Sequence, residues 1–160
     1  HRLNARVTVM GKGLDPSQLV ETTQTERRLG DYDHDDRVWC VFDRDSWTAE
    51  NFNSALAQAR QHKILVAYSN EAFELWYLLH FHYYHTGITR RQYITKLEKE
   101  LGHPYAKNSR DIYRELRSRQ EDALRNARTL LAQYDPADPA NDNPSTTVHL
   151  LVEELLHHAR

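Results

Sequence analysis

The sequence is nearly without cysteine: Cys40 stands alone among 160 residues, so no internal disulfide can form. It lies in the apolar run Val38-Trp39-Cys40-Val41-Phe42, where a small buried hydrophobe is the expected role and no neighbour activates a thiol. A chain that forgoes disulfides suits a reducing compartment, and a cytoplasmic location is expected. No apolar run approaches the roughly 20 residues of a membrane span, so no membrane association is expected. The opening His1-Arg2-Leu3-Asn4 lacks the apolar stretch of a signal peptide, and a start on His rather than Met suggests residues upstream. There is no internal repeat, no low-complexity tract, no G-x-x-x-x-G-K phosphate loop and no serine-nucleophile elbow. A formal net charge of -2 excludes an argument for nucleic-acid binding from whole-molecule charge.

Hydrophobic residues at 39% and charged residues at 28% make an ordinary globular balance, and the length suits one domain over residues 1–160. Val7 to Met10, closed by Gly11-Lys12-Gly13, reads as a strand and turn. Asp15, Pro16 and Gln18 start a helix that runs to about Leu29, with Gly30 ending it. Arg37 to Phe42 is the best strand and, being apolar on both faces, is expected at the centre of the sheet. Thr48 caps a helix through Ala49–His62, and Ile64 to Tyr68 is a third strand. A helix capped by Ser69 or Asn70 follows, apolar nearly all round and hence buried. The remainder reads as helical: Thr89 with Gln92 starts a helix ending near Gly102, another runs from about Ser109 to Tyr134, and Ser145 or Thr146 caps the last. The expected fold is α/β, a parallel sheet flanked by helices with a C-terminal helical extension.

Chemistry is expected beyond the carboxyl ends of the parallel strands. Asp43-Arg44-Asp45 follows the best strand, and two carboxylates one residue apart can share a hard cation such as Mg²⁺ or Mn²⁺. Ser69 and Asn70 fall at the next strand end, with Glu74 in the first turn of the apolar helix. Glu74 has two readings: an ordinary helix-dipole partner, or a third acid of the same site. Four carboxylates between Asp31 and Asp36 lack the turn glycine and distal Glu of a calcium loop and read as solvated. His80, His82 and His85 lack a shared face with a further ligand, so zinc is not expected. Between residues 89 and 128, eleven Lys or Arg face six Asp or Glu, a local basic excess that can follow a phosphate backbone or simply be a solvated helix surface. Lys107, Arg110 and Arg114 are its candidates for contact with nucleic acid. Asn143 and Thr146 stand where a helix start could hold an anion or merely be capped.

Four stretches together resemble the RloB-like family: Val41-Phe42-Asp43-Arg44-Asp45; Ser69-Asn70 to Trp76 with Leu79-His80-Phe81; Tyr105-Ala106-Lys107; and Asn143-Pro144-Ser145-Thr146. The resemblance covers nearly the whole chain. It implies a Toprim-related fold, a link to restriction or abortive-infection genes, and an ATPase partner. The Toprim pattern places a D-x-D after a later strand, matched here by Asp43 and Asp45, and a glutamate after the first strand. That glutamate would precede Val7, and no residue of the chain fills the place, so the resemblance implies either a missing N-terminal segment or an incomplete acidic site. The expected activity is a metal-dependent nuclease acting in phage defence, with Asp43 and Asp45 holding the metal, Glu74 supporting them, and RNA, including tRNA, favoured over DNA. The alternatives are a sensor subunit that docks on the ATPase through Trp76, Tyr83 and Tyr84, and a small-molecule phosphohydrolase with Asp43 as nucleophile and Asp45 as general acid.

Overall fold

The computed structural model describes residues 7–158 apart from residues 12 and 34. Local chemistry starts the first elements. Asp15 accepts a hydrogen bond from the Gln18 amide and Pro16 occupies the first turn of helix α1 (Pro16–Leu29). Strand β1 (Trp39–Asp43) leads into helix α2 (Ala49–Gln61), whose Thr48 cap accepts from the Asn51 amide. Strand β2 (Leu65–Asn70) then pairs with β1 in parallel, from Trp39 opposite Leu65 to Asp43 opposite Ser69. Side chains alternate across a strand. Cys40, Phe42 and Val66 therefore face α1 and α2, among Val20, Ala55 and Ala59, whereas Trp39 and Ala67 face the opposite side. By that period Asp43 shares the side of Trp39.

That opposite side is built from the rest of the chain. Helix α3 (Glu74–Leu78) is one short turn-and-a-half, and helix α4 (Arg90–Leu101) starts at a reciprocal capping box between Thr89 and Gln92. α4 ends at Gly102, whose φ of +77° is a left-handed conformation that glycine adopts freely. Helix α5 (Ile112–Leu116), a tight 3₁₀ turn at Arg117–Arg119 and helix α6 (Gln120–Leu131) follow. The two-residue strand β3 (Ser145–Thr146) pairs antiparallel with β2, and helix α7 (Val148–His157) closes the described chain. Leu75, Leu79, Tyr93, Leu97, Leu124 and Leu130 interlock beneath the sheet with 3% exposure or less. Each such side chain contributes roughly 1.5–3 kcal/mol of burial free energy.

The protein is thus α/β, with a small mixed sheet of three strands in the order β1-β2-β3 flanked by helices. Several expectations need correction. Val7 to Met10 is not a strand: Val9 is 88% exposed and the segment pairs with nothing described. Among the described strands β2 is central, not β1, and Val41 of β1 is exposed. Ser145 and Thr146 belong to a strand paired with β2, and Thr147 holds the cap position of the last helix, which begins at Val148; Thr146 Oγ1 still accepts the Val148 amide at 3.3 Å. The apolar segment after Asn70 makes only α3 and a run of turns, in which the His80 and Phe81 amides bond three residues back. Its apolar surface on all sides reflects burial, which needs no helix. The helix expected over 109–134 is broken by the 3₁₀ turn, which turns α6 onto the core. Positions 1–6, and the glutamate expected before Val7, lie outside the described residues.

Candidate functional site

Asp43 ends β1, and the chain beyond it keeps leaning on the end of β2. The Arg44 amide donates to the Ser69 carbonyl at 2.8 Å and the Asp45 amide to the Glu71 carbonyl at 2.9 Å. These bonds hold Asp45 at φ +40°, a left-handed conformation uncommon for a side-chain-bearing residue and concentrated at functional positions. Both carboxylates then point to one group, the Arg90 guanidinium. Its Nη2 lies 2.6 Å from Asp43 Oδ2 and its Nη1 2.9 Å from Asp45 Oδ2. Glu74 joins from the start of α3, with Oε2 3.8 Å from Arg90 Nε. Glu71 accepts the Arg90 backbone amide through Oε1 at 3.3 Å, on the positive end of the α4 dipole.

One guanidinium thus serves three carboxylates. Burial, and secondarily the charge of Glu74, raise the Asp43 pKa to about 6, although Arg90, the Phe73 backbone and Lys107 all act to lower it. A 2.6 Å ion pair would ordinarily depress a carboxyl pKa, so the rise means that desolvation outweighs the pairing. Burial also acts to lower the Arg90 pKa, and Asp43, Asp45 and Glu74 together overcome it and raise it. Glu74 Oε2 and Arg90 Nε are both buried without a hydrogen-bond partner. Tyr105 adds a neutral donor: burial, Glu74 and Tyr77 push its hydroxyl far up, so it stays protonated and hydrogen-bonds Glu74. Its own amide is tied to Glu98 Oε1, and its ring meets Tyr77 edge to face.

The expected residues divide. Asp43, Asp45 and Glu74 come together, and Lys107 faces Asp43 closely enough to act on its charge. Arg110 and Arg114 are exposed on the segment after Lys107, and Arg114 is paired with Asp111 at 3.0 Å; neither has a described contact with the carboxylates. Ser69, Asn70 and Thr146 are fasteners instead. Ser69 Oγ meets Thr146 Oγ1 at 2.9 Å, Thr146 donates to the Tyr68 carbonyl, and the Asn70 amide nitrogen donates to the Pro139 and Ala140 carbonyls. His80 is buried against the Trp76 carbonyl and ring, and that burial lowers its pKa. Asn143 is exposed, with its carbonyl and side chain packed against Gly87. Trp76 belongs to the core at 5% exposure, which leaves Tyr83 as the exposed member of the aromatic trio expected to dock a partner.

The residue missed from sequence is Arg90. It read as one member of the basic run, yet one signal was available. The capping box puts Arg90 and Arg91 in the first turn of α4, where the dipole disfavours a cation and no acidic residue is present. An arginine held at that end needs nearby acids to offset the cost.

Among the described residues no three His, Cys, Asp or Glu side chains are arranged as a ready metal cage, because the carboxylates converge on Arg90. The donor set nonetheless fits a hard divalent cation. Its acids outnumber the single Arg90 cation, each aspartate spends only Oδ2 on Arg90, and Glu74 Oε2 is buried and unpartnered. A separate concavity of about 960 Å³ is lined by Arg27, Arg37, Arg60, Lys63, Val66 and His157. It lacks the convergence of perturbed charges that marks the acidic cluster as the place for chemistry.

A family model described as RloB-like protein matches residues 2–155. No curated protein and no solved structure gives a match.

Proposed function

The chain belongs to the RloB-like family, and from that membership and the buried acidic cluster we propose a divalent-metal-dependent nuclease of bacterial abortive-infection defence, acting on RNA. The observation that carries the reading is the charge deficit. Asp43, Asp45 and Glu74 share one guanidinium, and burial pushes Asp43 up to about 6 in spite of that pairing. Mg²⁺ or Mn²⁺ is the cofactor such a deficit suits, held by Asp43 and Asp45 with Glu74 beside them. When bound, such an ion supplies positive charge for a phosphate oxygen and lowers the pKa of a nearby water. Glu74 is fixed by burial and by the neutral Tyr105 hydroxyl, which keeps its proton and donates it toward the carboxylate. Lys107 stands at the rim as a phosphate contact, and the exposed Arg110 and Arg114 extend the basic surface along a nucleic-acid backbone.

The parallel pair β1–β2, with its D-x-D at the carboxyl end, supports the Toprim-related reading of the fold. In that reading the upstream glutamate completes the acids, and an ATPase is the partner. Among the described residues no helix is long and apolar enough to cross a membrane, which is compatible with cytoplasmic action.

The test uses the gene-complete protein with labelled tRNA, single-stranded RNA and duplex DNA, with Mg²⁺ or Mn²⁺, beside Asp45→Ala. Cleavage that needs metal and falls at least about a hundredfold in Asp45→Ala is expected, the scale of losing a preorganised electrostatic group. Cleavage that survives Asp45→Ala would remove the site assignment. Absence of cleavage on every substrate, repeated with the neighbouring ATPase present, would favour the regulatory-subunit reading.

A further inference from the structure

We propose that Arg90 is a resident counter-ion which a divalent cation displaces from Asp43 and Asp45, and that the displaced guanidinium then holds the substrate phosphate. The inference rests on the metal-site reading and goes one step past it, to what controls entry of the ion and what grips the substrate.

The contact geometry is that of a bridge. Arg90 gives Nη2 to Asp43 Oδ2 at 2.6 Å and Nη1 to Asp45 Oδ2 at 2.9 Å, one nitrogen for each carboxylate. A structural arginine more commonly sets its fork against both oxygens of a single carboxylate. The bridging guanidinium therefore stands between the two acids, which is where one cation shared by both must sit. An ion shared through those two Oδ2 oxygens and Arg90 exclude each other.

The hold is also incomplete. Arg90 Nε and Glu74 Oε2 face each other at 3.8 Å and neither makes a hydrogen bond. The arginine sits in the first turn of α4, the end whose dipole opposes a positive charge. A doubly charged ion brings the carboxylates one more positive charge than the guanidinium does.

The exchange requires no backbone movement. α4 is fixed from below by Tyr93 and Leu97, both fully buried, and from its start by the Thr89–Gln92 box. The Arg90 side chain is 31% exposed, so its head already borders solvent and needs only new side-chain torsions to leave. Lys107 acts on Asp43 from the loop beyond Gly102. A released guanidinium beside Lys107 makes a two-cation rim, and a planar fork suits phosphate oxygens. The same arginine thus blocks the site when it is empty of metal and serves the substrate once metal is in.

The experiment titrates Mn²⁺ into the full chain by calorimetry, comparing wild type, Arg90→Gln and Asp45→Ala, with folding checked by far-UV circular dichroism. It then measures binding of a labelled single-stranded oligoribonucleotide in Ca²⁺. Arg90→Gln is expected to bind Mn²⁺ about tenfold more tightly than wild type, the scale of removing competing charge-assisted hydrogen bonds at a partly exposed site. In Ca²⁺ it should bind the oligoribonucleotide about tenfold more weakly. A folded Arg90→Gln that binds Mn²⁺ no more tightly than wild type overturns the displacement, while the metal site stands as long as Asp45→Ala abolishes binding. Tighter Mn²⁺ binding with unchanged oligoribonucleotide affinity overturns the phosphate role. No Mn²⁺ binding by wild type or by Arg90→Gln removes the metal-site reading itself. If Arg90→Gln fails to fold, Arg90→Lys takes its place: a single ammonium does not bridge both aspartates as the planar fork does, so tighter Mn²⁺ binding than in wild type is expected, and affinity equal to wild type overturns the proposal.

Discussion

Replacing Asp43 by Asn should make the protein relatively more stable as the pH rises. Burial, opposed by Arg90, leaves the Asp43 pKa at about 6 against an ordinary value of 3.8. The folded state therefore holds this proton more tightly than the unfolded chain does. That contribution to stability is complete below the unfolded pKa and is lost as the pH rises through about 6. A shift of about two units corresponds to ~3 kcal/mol, of which ~2 kcal/mol falls between about pH 4.5 and about pH 8. The side chain is only 19% exposed, so solvent screening removes little of it. Asparagine keeps the shape and has no proton to lose. Titrating groups remote from Asp43 are common to both chains and cancel in the difference. Urea unfolding followed by circular dichroism in EDTA at the two pH values reads this double difference directly. The stability of Asp43→Asn relative to wild type should move in the variant's favour by ~2 kcal/mol from the lower pH to the higher. A flat difference, or one of opposite sign, refutes the reasoning, because the Arg90 ion pair would then outweigh burial and Asp43 would titrate low.

Two further outcomes test how the site is held. A Cβ added at Gly87 would lie 2.9 Å from the Asn143 carbonyl oxygen and 3.0 Å from its side chain, so Gly87→Ala must push apart the segment that leads to Arg90. A loss of ~1–3 kcal/mol is expected in thermal melts, the usual cost of overpacking, and an unchanged midpoint would mean that Asn143 yields. Thr146→Val removes the hydroxyl that meets Ser69 Oγ and donates to the Tyr68 carbonyl, both in buried surroundings. It should cost ~1–3 kcal/mol in urea unfolding, and wild-type stability in the variant would show that these bonds contribute nothing net.

What the sequence disclosed was what local chemistry decides. The Asp15, Thr48 and Thr89 caps, the ends of α1 and α4 at Gly30 and Gly102, and the strands on either side of α2 follow from neighbours a few residues apart. The acidic pair was legible for the same reason, since it trails a strong apolar strand. The failures are tertiary. Ser145 and Thr146 are a strand only because β2 offers an edge 75 residues away or more, and their Ser-Thr composition reads equally well as a cap. The 3₁₀ break at Arg117–Arg119 has no glycine or proline to announce it. Val7 to Met10 has the composition of a strand but no described partner, and pairing is not a property of one segment. Arg90 is separated from Asp45 by 45 residues, so its charge read as part of a solvated basic run until the fold brought the two together.

The union of β2 with β3 bears on how the protein is made. Ser69 and Asn70 end the strand that supports the aspartate loop, yet their partners, Ala140, Ser145 and Thr146, come from the last fifth of the sequence. Translation delivers residues in order, so a nascent chain that has exposed Asp43, Asp45, Glu74 and Arg90 still has an unfinished frame around them. The polar edge of β2 stays open until the carboxyl-terminal stretch leaves the ribosome and closes it. A chain cut short before Ser145 lacks that closure and leaves the β2 edge open at Ser69 and Asn70.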